Sequence, residues 1–206
     1  MLRRSLLLLT MLAGVLLIAW SGWHNLRQNR SILQLQQEDR ADLVPSSPAP
    51  SADATATELS PLRGKPAPAF ALVDLNGHTV SLSDFKGRPL LINFWGTYCP
   101  PCKIEMPWLQ DLSKKYASSG FAVVGITYDS EVGKETIAKV AQKLGVTYPI
   151  LLSDPKAEKD YLSNTEYLPM SFYVDRSGKV IDVTSGIGSE NDLEAMVEKT
   201  IAAEDK

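Results

Sequence analysis

Cys99 and Cys102 are the only cysteines of this 206-residue chain, and they stand in Trp95-Gly96-Thr97-Tyr98-Cys99-Pro100-Pro101-Cys102-Lys103. Directly before them runs the apolar stretch Pro89-Leu90-Leu91-Ile92-Asn93-Phe94. A strand that hands a Cys-x-x-Cys pair to the start of a helix can expose one sulfur there. Unpaired N–H groups and the positive end of the helix dipole then favour its thiolate. Such a pair suits thiol-disulfide exchange. Two other uses are open to it. Tetrahedral zinc takes four ligands, whereas the chain offers two thiols and two histidines, His24 beside an apolar segment and His78 in an expected hairpin turn, so the ligand count argues against zinc. A purely structural bridge would close a loop of a few residues and constrain the unfolded chain little.

The elements that must position the pair are legible as hydrophobic periods. Phe70, Leu72 and Leu75 before Asn76-Gly77, with Val80 and Leu82 after, predict a two-residue hairpin, and Ser83 starts a short helical turn toward Phe85. Leu90 to Phe94 reads as a buried strand. A helix from Pro101 to Tyr116 follows, with Ile104, Trp108, Leu109 and Leu112 on its apolar side. Phe121 to Thr127 is a second buried strand, and Lys134 to Leu144 a helix with Ile137, Val140, Ala141 and Leu144 on one face. A short strand from Tyr148 to Leu152 and a brief helix from Lys156 to Leu162 come next. Ser171 to Val174 and Val180 to Val183 pair around Asp175-Arg176-Ser177-Gly178, and a last helix runs from Asp192 to Ala203. Strands alternating with helices, then a hairpin and a closing helix, make a mixed α/β sandwich.

The N-terminal part has a different character. Met1-Leu2-Arg3-Arg4 is a basic tail, and the nineteen residues from Ser5 to Trp23 carry no charge. At about 1.5 Å per residue these cover the roughly 30 Å bilayer core. Residues 5–26 are therefore expected to be a transmembrane signal-anchor with residues 1–4 in the cytoplasm; a cleaved signal peptide ending near Ala19-Trp20-Ser21 is the competing expectation. Residues 27–61, including Val44-Pro45-Ser46-Ser47-Pro48-Ala49-Pro50, lack the large apolar groups of a core and read as a flexible linker. A net charge of −3 with no basic run in the globular part argues against a nucleic-acid partner. Having no cysteine outside the motif suits an oxidising compartment, where a stray thiol could form a wrong bridge.

Pro107, five residues after Cys102, and Pro169, just before a hairpin strand, complete a pattern that resembles the thioredoxin superfamily. Gly64-Lys65-Pro66-Ala67-Pro68-Ala69-Phe70, Leu82-Ser83-Asp84-Phe85-Lys86-Gly87, Asn93-Phe94-Trp95-Gly96-Thr97 and Glu105-Met106-Pro107 narrow the resemblance to the membrane-anchored TlpA/ResA/CcmG (DsbE) group. The resemblance implies a thioredoxin-like sandwich over residues 62–206, a mixed central sheet flanked by helices with an N-terminal β-hairpin extension. It implies a single-pass protein of the bacterial inner membrane whose catalytic domain faces the periplasm or cell exterior. There it would reduce protein disulfides, such as those of apocytochrome c in cytochrome c maturation, with electrons from a membrane thiol donor of the DsbD/CcdA type. No cofactor beyond a redox-active Cys99–Cys102 disulfide is implied.

In that frame Cys99 attacks the substrate disulfide as thiolate and Cys102 resolves the mixed disulfide. Glu105 matches an acidic residue that the group keeps near its cysteines, placed to raise the thiol pKa values and to take or give the resolving proton. Pro169 matches the family's cis-proline, and the backbone of Leu168 would pair with the substrate chain. Trp95 and Tyr98 would form an apolar collar for docking, with Pro100 stiffening the loop between the cysteines. Met170-Ser171 and the lead-in Thr165-Glu166-Tyr167 depart from the group's pattern, which bears on substrate choice.

Three rivals differ in chemistry. A peroxiredoxin would carry Pro seven and Thr or Ser three residues before the reactive cysteine, where this chain has Ile92 and Gly96. A protein-disulfide oxidase would differ in potential and partner. A Cu(I)-handling module would use the two thiolates as soft ligands, with Met106 and Met170 nearby.

Overall fold

Leu90–Trp95 (β3) and Ala122–Thr127 (β4) are buried at every position, the pattern of strands covered on both faces. They pair in parallel, Leu90 beside Ala122 and Trp95 beside Thr127. The computed structural model describes residues 61–163 and 167–203. Ile150–Leu152 (β5) extends the parallel part beyond β4, while Met170–Val174 (β6) and Val180–Ser185 (β7) add antiparallel strands on the other side of β3, giving the order β5-β4-β3-β6-β7. A separate antiparallel hairpin, Ala71–Val73 (β1) with Thr79–Ser81 (β2), meets the β5 edge through the Asp74–Leu151 bridge.

Among the described residues, four helices cover the sheet: Pro100–Lys115 (α1), Lys134–Lys143 (α2), Pro155–Leu162 (α3) and Glu190–Ala202 (α4). Alternation along β3 decides which core each side chain joins. Leu90, Ile92 and Phe94 pack with Phe172, Tyr161 and Leu162 under α3, and the rings of Phe94, Phe172 and Tyr161 meet with centroids 5.0 to 5.9 Å apart. Leu91 and Trp95 pack on the opposite face with Met106, Leu109, Ile137 and Val197 of α1, α2 and α4. This is the expected thioredoxin-like sandwich with its hairpin extension.

Helix boundaries follow local chemistry. Asp154 accepts from the Ala157 N–H at 2.7 Å to cap α3, with Pro155 in the first turn. α4 starts two residues before the expected Asp192, because Ser189 and Asp192 form a reciprocal capping box that places Asp192 at the third helical position.

Two expectations are corrected. The β1–β2 connection is not a two-residue turn: the Asp74 N–H donates to the His78 carbonyl and the Gly77 N–H to the Asp74 carbonyl, so Leu75-Asn76-Gly77 form a three-residue loop. Asp74 accepts from the N–H groups of both Asn76 and His78, and Gly77 takes the left-handed conformation that closes such a loop. Ile104 is 53% exposed rather than on the apolar side of α1. The face turned to the sheet is Cys102, Glu105, Met106 and Leu109, which places polar Glu105 inside and apolar Ile104 outside.

The chain joins this domain along the far edge of the sheet. Gly64 and Ala67 donate to the carbonyls of Val180 and Gly178, and Val180 donates back to Lys65. Arg63 pairs with Asp182, which also holds Lys199 of α4 at 2.8 Å. Among the described residues no helix is long and apolar enough to cross a membrane. The expected tail 1–4, the anchor 5–26 and the linker up to residue 60 lie outside the described residues.

Candidate active site

β3 ends at Trp95, and four residues later Cys99 caps the helix it introduces. Cys99 Sγ accepts the Cys102 N–H at 3.2 Å, so the sulfur occupies the capping position that a serine or aspartate oxygen takes elsewhere. The two cysteines form a disulfide, with Pro100 and Pro101 opening the helix between them. An anionic Cys99 sulfur at this position would keep that N–H bond and face the helix dipole. Cys102 is wholly buried and Cys99 is 5% exposed, so what little of the pair reaches solvent belongs to Cys99. This is less exposure than a helix-start sulfur suggests, because both cysteines belong to the buried cluster under α1, against which Leu168 also packs.

The surroundings sort the other expected residues. Tyr98 is 59% exposed and Pro100 is exposed, so both border the pair on its solvent side. Trp95 is not part of any surface collar. Its side chain is wholly buried, since it lies on the same face of β3 as Leu91 and packs under α1. The Leu168–Pro169 peptide is cis, Pro169 is buried and Leu168 half-buried, and the Pro169 carbonyl accepts from Gly186 at 2.8 Å. Tyr167 beside them is exposed, while Thr165 and Glu166 lie outside the described residues.

Glu105 is one turn beyond Cys102 on the inner face of α1 and only 3% exposed. Its Oε2 accepts from Asn93 Nδ2 at 3.0 Å, and the same amide donates to Ser171 Oγ on β6 at 2.9 Å. Burial pushes the carboxyl up to about 7, against the opposing pull of the Asn93 hydrogen bond. A cavity of about 200 Å³ adjoins Glu105 on the β6–β7 side, lined also by Trp108, Tyr173, Thr184 and Ile187. A carboxyl that titrates near neutrality beside a disulfide can both hold and release a proton at physiological pH.

Residues 63–183 match the family model described as the AhpC/TSA family. The chain belongs to the AhpC/TSA family. Its relatives in that family include the thiol-disulfide oxidoreductase ResA of Geobacillus kaustophilus (strain HTA426), 34% identical over 135 residues that cover 66% of this chain and 76% of that protein. The ResA of Bacillus subtilis (strain 168) is 35% identical over 130 residues, covering 62% and 70%. Among solved structures, the thioredoxin-family thiol:disulfide interchange protein of Chlorobium tepidum TLS superposes with a TM-score of 0.61 at 30% identity, over 68% of this chain and 98% of that one. With its paired cysteines at the helix start, this AhpC/TSA-family chain is a thiol-disulfide oxidoreductase.

One residue that positions the site escaped the sequence-based expectations. Asp129, 2% exposed just past β4, accepts from the Thr97 N–H at 2.9 Å, from the Thr97 hydroxyl, and from Thr127 Oγ1 at 2.7 Å. It ties the loop before Cys99 to the end of the neighbouring strand. The available signal was an acidic residue two positions past a nearly wholly apolar strand, at the sheet end where the cysteines emerge.

Proposed function

We propose that this oxidoreductase works as a reductase of protein disulfides outside the cytoplasm, held there by its N-terminal apolar segment. The observation that carries the proposal is the pairing of a helix-capping Cys99 with a buried Glu105 on the same helix. Cys99 thiolate attacks one sulfur of the substrate disulfide, forming a mixed disulfide and expelling the other sulfur as thiolate, which takes a proton. Cys102 then gives its proton to the Glu105 carboxylate and attacks Cys99 Sγ. The Cys99–Cys102 bond forms and the second substrate sulfur leaves as thiolate. The substrate gains two electrons and the enzyme ends oxidised.

The cycle needs no cofactor beyond the cysteine pair, but it needs a reductant. A membrane thiol carrier of the DsbD/CcdA type fits, returning two electrons by the same exchange in reverse. Relatives named thiol-disulfide oxidoreductase ResA support the exchange chemistry itself. Apocytochrome c before haem attachment is the proposed client, tested by scoring c-type cytochromes after deletion of the gene; normal haem attachment would point to another substrate. Exposed Tyr98 and Pro100, with half-buried Leu168 ahead of the buried Pro169, supply the docking edge.

Direction is decided by the equilibrium potential of the Cys99–Cys102 couple, measured on the full chain poised in glutathione or dithiothreitol buffers. A value near or below about −250 mV identifies a reductase, and one near about −120 mV identifies an oxidant of folding proteins.

A further inference from the structure

Cations gather at the end of the sheet where β3 begins. Lys86 and Arg88 lead into β3, and Lys114 in the last turn of α1 lines, with Arg88 and Phe121, a hollow of about 340 Å³ beside the start of β4. Arg176 and Lys179 lie on the β6–β7 turn at the same end, since Val174 stands opposite both Leu90 and Val180. Lys65 joins them, its carbonyl accepting from the Val180 N–H at 2.9 Å. Backbone carbonyls fix both arginines: Arg88 Nε donates to Gly120 at 2.9 Å and Arg176 to Ser119 at 3.0 Å. Among the described residues none of these six cations has a carboxylate partner. The carboxylates nearby are engaged elsewhere, Asp84 by the Ser81 N–H, Asp175 by the Ser177 and Lys179 N–H groups and Glu194 by Lys115. The disulfide end carries the opposite sign: Glu131 and Glu135 follow β4, and Glu190 and Asp192 open α4 after β7, all four exposed, against Lys103 and Lys134.

We propose that the basic end is a docking face for an anionic lipid surface, on which the domain rests with Cys99 turned away from the bilayer. The occupant follows from charge complementarity and from the chain's own course, because the segment 64–67 enters the domain along this end. The proposal rests on the reading of Ser5–Trp23, ahead of that segment, as a membrane anchor. Acidic headgroup phosphates neutralise the unpaired cations, an attraction that adds up over several lysines and arginines and weakens with salt. Docked, the domain offers Cys99 to a client in solution; reaching a membrane thiol donor requires it to lift off.

The test is lysine footprinting of the oxidised full chain in vesicles, with a membrane-impermeant acetylating reagent read by mass spectrometry. Vesicles of phosphatidylcholine are compared with vesicles holding about one third phosphatidylglycerol, where Lys65, Lys86, Lys114 and Lys179 should label about threefold more slowly or less. Lys103 and Lys134 should label alike in both, and about 0.5 M salt should abolish the difference. In Lys86→Glu/Lys179→Glu the protection of Lys65 and Lys114 should be lost. Equal labelling in the two vesicle types, protection of all lysines alike, or protection by inorganic phosphate alone overturns the proposal. Protection by polyglutamate but not by phosphatidylglycerol assigns the face to an acidic protein and overturns it too. Failure of the anchor reads differently: the chain then does not float with phosphatidylcholine vesicles, while added phosphatidylglycerol vesicles still decide whether the face binds.

Discussion

Glu105 Oε2 accepts its 3.0 Å hydrogen bond from an asparagine, Asn93, rather than from a cation. Nothing therefore offsets the burial that holds the carboxyl near 7 instead of 4.5, except one neutral donor. Below about pH 4.5 the carboxyl is protonated in both folded and unfolded chains. Between about 4.5 and about 7 only the folded chain keeps the proton, so the stabilisation from the neutral carboxyl is lost as pH rises, levelling off above about 7. The wild type should lose about 3 kcal/mol over that window relative to Glu105→Gln, read from denaturant unfolding of the oxidised proteins at a series of pH values.

The two cysteines should fail differently when replaced. Cys102→Ser leaves Cys99 able to attack but removes the resolving sulfur, so covalent adducts with protein disulfides accumulate on non-reducing gels at up to one per chain. Cys99→Ser should give no such adduct, and multiple-turnover reduction should fall to background in both. Equal trapping by the two variants would reverse the assigned roles.

Trp95 and Tyr98 are three residues apart and should separate stability from recognition. Trp95→Ala empties a wholly buried site and should cost about 4 kcal/mol of unfolding free energy. Tyr98→Ala removes a ring that is 59% exposed, so stability should stay within about 0.5 kcal/mol. The KM for a protein disulfide should rise about fivefold or more, with kcat for a small disulfide unchanged.

Asp129→Ala strands the N–H and hydroxyl of Thr97 and the hydroxyl of Thr127, and should destabilise the protein by about 3 kcal/mol. Because Thr97 lies two residues before Cys99, alkylation of the reduced Cys99 should change rate as well. Asp129→Asn keeps an acceptor and should recover part of both effects.

Local signals carried most of the architecture. The apolar runs of β3 and β4 are buried from end to end, and the Cys-x-x-Cys pair with Pro100-Pro101 marks a helix start through its own chemistry. What local pattern could not convey was the identity of distant partners. Glu105 is inside with Asn93, twelve positions away in sequence, as its hydrogen-bond donor, and Asn93 is in turn bonded to Ser171, sixty-six positions beyond Glu105. An apolar residue at helical spacing normally faces inward, as expected for Ile104, but here the inward slot belongs to Glu105. The Asn76-Gly77 pair predicts a two-residue turn, but the same dipeptide also serves three-residue loops, and the Asp74 hydrogen bonds select the longer one.

The hydrogen bonds of Gly64, Lys65 and Ala67 with Gly178 and Val180 lie at the sheet end marked by Leu90, where Val174 links β3 to the start of β7. Cys99 follows Trp95, at the opposite end of the same strand. Tension applied to the chain ahead of residue 61 is therefore borne as shear along the β7 edge and by the Arg63–Asp182–Lys199 clamp, with the length of β3 between that load and the disulfide. The reactive end of the domain is mechanically insulated from the point where the chain enters it.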